Sequence, residues 1–312
     1  MSLLDNSLDL GGTNLAASRK PDPGAQSTTH ADASRTTTPP TTVLRTADHN
    51  RGLNDVLAIV EAMERPSDHL LRITARLTES TDDPTWSRPN VTVRMNLGPA
   101  FDDASRVYTV RSYDSASGSI VVDVVLHGQT SPMMRWAAAL AVGDTFGLTG
   151  PRPHFLIPDV PGRRIALFLD GTAIPALHSI IEQLPTDVVG IGWVTTDDEV
   201  AFAELPALPG LELHRVSADP AEPDGPLAVR ARELANPASY VVWGAGERNE
   251  MRAIRKHFRS TVGLDKNDVA IFGYWKEGVS NTEIDLRRRE NYERILADGG
   301  TLTDIDDLAI EI

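Results

Sequence analysis

Between residues 69 and 150, apolar residues return at every second position in short runs: HLLRITARLT, NVTVRMNL, RVYTVRSY, SGSIVVDVVLHG and, after Gly143, DTFGLTGP. A period of two, broken by turn residues, predicts short half-buried strands. The SASG between two of them reads as a hairpin break. Strands at this spacing predict a small antiparallel barrel. Two pieces interrupt the pattern. LNDVLAIVEAME, at 53 to 64, puts Leu53, Val56, Leu57 and Val60 on one side and predicts a helix, and MMRWAAAL predicts a short one.

From residue 164 the period changes. RRIALFLD, VVGIGWV, LELHRV, YVVWGAG and DVAIFGYW are apolar runs of strand length. Between them lie amphipathic stretches, TAIPALHSIIEQL, PLAVRARELA and ERNEMRAIRKHF, the last with Met251, Ile254 and Phe258 as its inner stripe. Apolar strands alternating with helices predict a parallel sheet covered on both faces. TEIDLRRRENYERILADGG predicts a charged surface helix leading into an acidic tail. The organisation expected is therefore a disordered tail over 1–50, a barrel domain over 51–158, an α/β domain over 159–280, and a C-terminal helix and acidic tail over 281–312. The tail is rich in Ser, Thr, Pro, Asp and Gly and cannot bury enough apolar surface to offset its ordering entropy.

Composition narrows the chemistry. The 312 residues include no cysteine, which excludes disulfides, zinc–thiolate sites and all-Cys iron–sulfur clusters. Redox work in this chain needs a borrowed organic cofactor or a metal site without thiolates. A formal net charge of −14 argues against non-specific binding to nucleic acid or an anionic membrane. There is no apolar run long enough to span a membrane and no basic region followed by an apolar stretch, so a cytoplasmic protein is expected.

Three stretches carry candidate chemistry. RVYTVRS sets Arg106, Tyr108, Thr109 and Arg111 in one strand. Residues 106 and 108 share a face, so one side chain can bind a phosphate while the next covers a ring; a half-exposed edge strand explains the same residues without a ligand. In DVVLHGQTSPMMRWAAAL, a strand ends at His127 and Gly128, and Thr130 or Ser131 can cap a helix starting near Pro132. Asp170, Gly171, Thr172 and Ala173 sit at the carboxyl end of one parallel strand, and Gly244, Gly246 and Glu247 at the end of another, where open sheets bind their ligands. Glycines at strand ends also make plain turns.

Taken in order, R-x-Y-T-x-R, D-x-V-x-H-G, S-P-x-x-x-W-A, G-D-x-x-G-x-x-G-P-R, D-x-T-A-I-P-A, W-x-A-G-E and G-Y-W-K-x-G form a series spanning roughly 65 to 280. That series resembles the siderophore-interacting protein family, flavin-dependent ferric-siderophore reductases of the ferredoxin-reductase superfamily. The resemblance implies a six-stranded flavin-binding barrel followed by a nicotinamide-nucleotide-binding α/β domain. It implies that Arg106 contacts the flavin's phosphate side, Tyr108 lies against the isoalloxazine ring and Thr109 hydrogen-bonds near its reactive nitrogen. Strand alternation sets Thr109 on the face opposite Tyr108, so a bulge or backbone contact is needed there. By the same resemblance Asp123, Val125 and His127 are ribityl- and adenine-side contacts, and Ser131 and Met134 belong to the pyrophosphate loop. Asp170, Thr172, Ala173, Gly244, Gly246 and Glu247 match the nicotinamide-nucleotide half, with Tyr274 and Trp275 brought toward the flavin. Arg94, Arg152 and Lys276 stand where the family carries basic residues around the ferric siderophore.

This sequence departs from the family at the pyrophosphate loop. Ser131 replaces a usual Gly, and Met133 and Met134 replace small or hydroxylic residues, which leaves more of the phosphate contact to backbone amides. The implied reaction passes electrons from NADH or NADPH through FAD to Fe(III), with no metal held by the protein and no general base required. TTDDE at 195–199 would repel a ribose 2′-phosphate, whereas a basic helix face at Arg248, Arg252 and Arg255 would offset that. Ferredoxin is an alternative donor, electrostatically a poor match for a net-negative protein. Two other readings stay open: a flavin-dependent NAD(P)H oxidoreductase with a non-iron acceptor, and a flavin- or siderophore-binding protein without turnover.

Overall fold

The first lobe is built from six strands: β1 (Asn54–Ser67), β2 (Leu70–Leu77), β3 (Val91–Asn96), β4 (Ser105–Asp114), β5 (Ser119–Val125) and β6 (Thr145–Pro153). They close into an antiparallel barrel in the order β1-β2-β5-β4-β3-β6. This is a computed structural model that describes residues 53–79, 82–128, 131–154, 156–217, 224–299 and 308. The tail expected to be disordered, 1–50, lies outside the described residues, as does the acidic C-terminus apart from Leu308.

The segment expected to be helical, 53–64, is β1. Ala58, Glu61, Ala62 and Met63 favour a helix locally, but Val56, Ala58 and Val60 also alternate. In the barrel these three point inward while Leu57 is 53% exposed. Pairing decides the conflict, because β1 hydrogen-bonds to β2 on one side and β6 on the other. A helix here would leave both neighbouring edges open, and closure removes them. Helix α1 (Pro132–Ala139) inserts Met133 and Trp136 into the same core, with Trp136 edge-on to Phe146.

The second lobe is a parallel sheet of β7 (Arg164–Asp170), β8 (Gly190–Thr195), β9 (Leu211–Val216), β10 (Tyr240–Glu247) and β11 (Val269–Trp275), ordered β11-β10-β7-β8-β9. In β7, Ile165, Leu167 and Leu169 face one side and pack with helix α2 (Ile174–Ile181). Ala166 and Phe168 face the other and pack with α4 (Pro226–Glu233) and α5 (Arg248–Lys256). Burial on both faces explains the unbroken apolar run. A short α3 (Glu199–Ala203) follows β8, and α6 (Asn281–Ala297) follows β11 with Ile284 buried. Strand order reverses at β7, which sets a crevice at the carboxyl ends of β7 and β10.

Candidate functional site

The β4–β5 hairpin splays at its open end. β4 pairs with β5 only from Val110 onward, and β5 in turn pairs with β4 only up to Val122. Ser105 to Thr109 therefore bond to β3 alone, and Asp123 to Val125 to β2 alone. The residues expected to touch a flavin flank this fork: Arg106, Tyr108 and Thr109 on one prong, Asp123, Val125 and His127 on the other. Tyr108 is half-buried against the barrel core, and burial holds its phenol above the ordinary range. Thr109 points the opposite way, toward the second lobe. The irregularity expected near it falls between Val110 and Ser112, at Arg111.

Across the boundary from Thr109 stands Tyr274 of β11. Its hydroxyl is buried and faces the Thr109 side chain at the margin of hydrogen-bonding geometry; burial, reinforced by the nearby Asp170, pushes its pKa up, and Thr109 opposes that rise. The ring of His154, just past β6, is edge-on to Phe272 at 5.0 Å and to Tyr274 at 6.0 Å. A buried hydroxyl held only by a marginal contact gains from a ligand that satisfies it fully. A phenol facing a hydroxyl beside an open strand edge fits the polar rim of a flat heterocycle. The residues present thus fit FAD.

At the carboxyl end of β7, Asp170 Oδ1 accepts from the Thr172 amide (2.9 Å) and hydroxyl (2.5 Å), and Oδ2 from Trp275 Nε1 (2.7 Å). Burial raises the pKa of this carboxyl. A Cβ on Gly246 would lie 2.6 Å from Asp170 Oδ2, so glycine is required there by the carboxylate, and Ala173 beside it is fully buried. A Cβ on Gly244 would meet the Phe168 carbonyl at 2.5 Å. Glu247 caps α5, its Oε2 accepting from the Asn249 (2.6 Å) and Glu250 (3.0 Å) amides. Glu250 in turn caps α4 through the Leu227 (2.6 Å) and Ala228 (3.3 Å) amides, and burial pushes it up to about 7.

Ser131 caps α1, its Oγ accepting from the Met134 amide at 3.2 Å, and the Met134 sulfur lies 3.5 Å from the His127 amide. The altered loop thus uses its own side chains on one of the helix's first amides.

Asp123 is differently engaged. Its carboxylate accepts from Arg72 (2.7 and 2.9 Å) and Arg111 (3.2 Å), and both guanidinium groups also reach Glu204 beyond α3 (2.6 to 3.1 Å). This four-member cluster joins the barrel to the second lobe. Hydrogen bonds that Arg72 donates to Asp123 and Glu204 raise its pKa; that of Arg111, more deeply placed, is lowered by burial despite the same acids. The Arg72 hydrogen bond holds Glu204 below its usual range. Ser67 adds a bond to Asp198 at 2.5 Å. A cleft of about 130 Å³ lined by Arg88, Arg111, Tyr113, Ser179 and Gln183 opens beside this latch and shares no residue with the Thr109–Tyr274 crevice.

Arg94 and Arg106 meet under α6. Arg94 donates to Ser105 Oγ (3.0 Å) and Asp285 Oδ2 (3.3 Å), and Arg106 to the Ser105 carbonyl (2.7 Å) and Thr282 Oγ1 (3.2 Å). Burial lowers the pKa of Arg106. Arg152 lies opposite Thr92 on the outer barrel face that carries Arg94. Lys276 follows β11 and bridges to Val279. Among the described residues, no group of three or more His, Asp or Glu side chains is placed to hold a metal ion.

Known proteins match both lobes of the chain. Residues 60–155 match the siderophore-interacting FAD-binding domain, and 162–278 match the siderophore-interacting protein family. The ferric acinetobactin reductase of Acinetobacter baumannii is 32% identical over 269 residues, 85% of this chain and 94% of that protein. The chain belongs to the siderophore-interacting protein family. A solved siderophore-interacting protein from Acinetobacter baumannii superposes with a TM-score of 0.74 at 32% identity, covering 78% of this chain and 99% of that one. The ferric vibriobactin reductase of Vibrio cholerae is 28% identical over 58% of this chain and 68% of its own length. A cytochrome P450 reductase from Amycolatopsis, at 19% identity and a TM-score of 0.55, shares the ferredoxin-reductase-like fold.

Sequence reasoning did not find Arg72, Glu204, Thr282 or Asp285 as partners at this family site. Arg72 sits singly on an outward strand position, and its partner Glu204 is 132 residues away. Local pattern carries no trace of such a pair. The charge of α6 was legible, but its docking on the barrel was not.

Proposed function

We propose that this protein is an FAD-dependent ferric-siderophore reductase that takes hydride from NAD(P)H and releases iron from its chelate as Fe(II), in the cytoplasm. The observation that carries the reading is the fork of β4 and β5 opposite the buried, weakly held Tyr274 hydroxyl, in a chain of this family. FAD, when bound, supplies the conversion of one two-electron donor into single-electron transfers to Fe(III). Arg106 and the first amides of α1 hold the phosphates, the open edge of β4 with Thr109 and Tyr274 orients the ring, and Val125, His127 and the backbone of Asp123 line the remaining prong, the Asp123 carboxylate being held in the latch. Asp170, latched by Thr172 and Trp275, sets the Gly244–Glu247 end of β10, which receives the nicotinamide nucleotide. Arg94, Arg152 and Lys276 draw an anionic ferric chelate to the exposed rim.

NADH is the preferred donor in this reading. Asp197 stands exposed at the carboxyl end of β8, and Glu199 beside it takes the Arg215 guanidinium. Of the expected basic face of α5, Arg248 is fully buried and Arg252 donates to the Leu308 carbonyl at 3.0 Å, which leaves Arg255, half-buried, as the cation nearest to meeting a 2′-phosphate. Ferredoxin is the alternative donor. No helix among the described residues is long and apolar enough to cross a membrane.

The test is an anaerobic absorption spectrum of the FAD-loaded protein. Bleaching by NADH, weaker bleaching by NADPH, and recovery of the flavin bands on adding ferric siderophore, with Fe(II) trapped by a chromogenic chelator, support the reading. Recovery only with a quinone overturns it in favour of a non-iron acceptor. A spectrum that neither nicotinamide bleaches favours ferredoxin as donor if reduced ferredoxin bleaches it, and a protein without turnover if it does not.

A further inference from the structure

Helix α6 places a carboxylate where the proposed substrate mouth needs positive charge. Asp285 Oδ2 lies 3.3 Å from Arg94, and its Oδ1 lies 3.6 Å from Arg288, which also donates to the Gly273 carbonyl at 3.1 Å. Arg106 is close enough for Asp285 to raise its pKa against the effect of burial. Three guanidinium groups thus share one acid. The side chains of Arg94 and Asp285 are each 19% exposed, so solvent screens this pair less than one on an open surface. Ile284 is buried one residue earlier, which fixes the helix and holds Asp285 in place.

We propose that Asp285 is a specificity-determining residue that sets the charge of the ferric-chelate mouth by partly neutralising Arg94. This rests on the ferric-siderophore reading above. A trianionic ferric tris-catecholate gains from every uncompensated guanidinium it approaches; a neutral ferric trihydroxamate gains little. The carboxylate therefore narrows the preference for highly charged chelates without blocking uncharged ones. In chemical terms, Asp285 sits where an acidic group of the substrate would sit, and removing its charge hands Arg94 to the substrate.

The test compares Asp285→Asn, Asp285→Glu and the unaltered protein, all loaded with FAD. Chelate binding is read by quenching of tryptophan fluorescence at low ionic strength, and turnover is read separately. Asp285→Asn is expected to tighten the ferric tris-catecholate about 5-fold, the scale of one partly exposed ion pair, and to leave the trihydroxamate unchanged. Asp285→Glu, which keeps the charge, returns the original selectivity, and about 0.5 M salt erases the difference. Equal changes for both chelates, or none for either, overturn the proposal. Because binding is read apart from turnover, a chelate that binds with the expected charge dependence but is never reduced overturns the reductase reading and upholds the role of Asp285.

Discussion

Two clusters of buried acid treat the same physical problem in opposite ways. In the latch between lobes, Asp123 and Glu204 face Arg72 and Arg111, and the cations answer the cost of burial. Glu204 titrates below its usual range as a result. At the strand ends of the second lobe, Asp170 and Glu250 are held by amide, hydroxyl and indole N–H or O–H donors, and burial drives both carboxyls upward. The first arrangement is balanced and fastens the lobes. The second keeps acidic groups in tension beside the crevice proposed for the nucleotide, and Tyr274, with a buried and weakly held hydroxyl, sits against it. Balanced charge marks the joint, and unbalanced polarity marks the site.

The sharpest way to break this contrast is to unbalance the latch. Asp123→Asn removes the buried negative charge and one of its two acceptor oxygens between Arg72 and Arg111, leaving Glu204 as their remaining acid, and chemical denaturation is expected to show a loss of about 3 kcal/mol. A loss below about 1 kcal/mol would mean the cluster fastens nothing. Next in size is Glu250. Its folded pKa of about 7 exceeds its ordinary 4.5, so the native state holds an extra proton between those values. Stability then falls as pH rises from about 4.5 to 7, by roughly 2 kcal/mol after allowing for its partial exposure. Glu250→Gln is expected to flatten that slope in thermal melts. Glu204 has the opposite sign: its pKa is lowered, so its contribution is complete above about 4.5 and is lost as pH falls through the lower folded value.

Gly246→Ala tests the strand end directly. The added Cβ pushes on Asp170 and loosens its bond to Trp275. Flavin reduction by NADH should slow roughly 10-fold, since small misplacements in a docking turn are costly. Reduction by dithionite, which needs no nicotinamide site, should be unaffected. Smallest is Tyr274→Phe. Deleting this weakly held hydroxyl should change the stability of the apoprotein by less than about 1 kcal/mol, while FAD binds about 5-fold more weakly. Loss of stability without loss of FAD affinity would show that the hydroxyl serves the fold.

Much of this was legible in the chain. The parallel sheet announced itself because strands buried on both faces, such as Ala166 to Leu169, read as unbroken apolar runs. Five barrel strands showed their alternation. The sixth was masked because Ala58, Ala62 and Met63 favour a helix, and only pairing with β2 and β6, far along the chain, overrides that preference. Motif residues marked both prongs of the fork, yet the engagement of Asp123 by Arg72 and Arg111 depends on neighbours that no short window contains. The same holds for Arg94 and Arg106, whose company under α6 is set by a helix nearly two hundred residues downstream.

The central claim is that FAD lies in the fork, its ring between the open edge of β4 and Tyr274. A crystal structure of the FAD complex tests it most directly. Density for the isoalloxazine is expected against Tyr108 and Thr109, with the Tyr274 hydroxyl bonded to the cofactor and the latch of Arg72, Asp123, Arg111 and Glu204 intact. A flavin bound elsewhere, or a fork closed by strand pairing of β4 with β5 through Arg106, would contradict it.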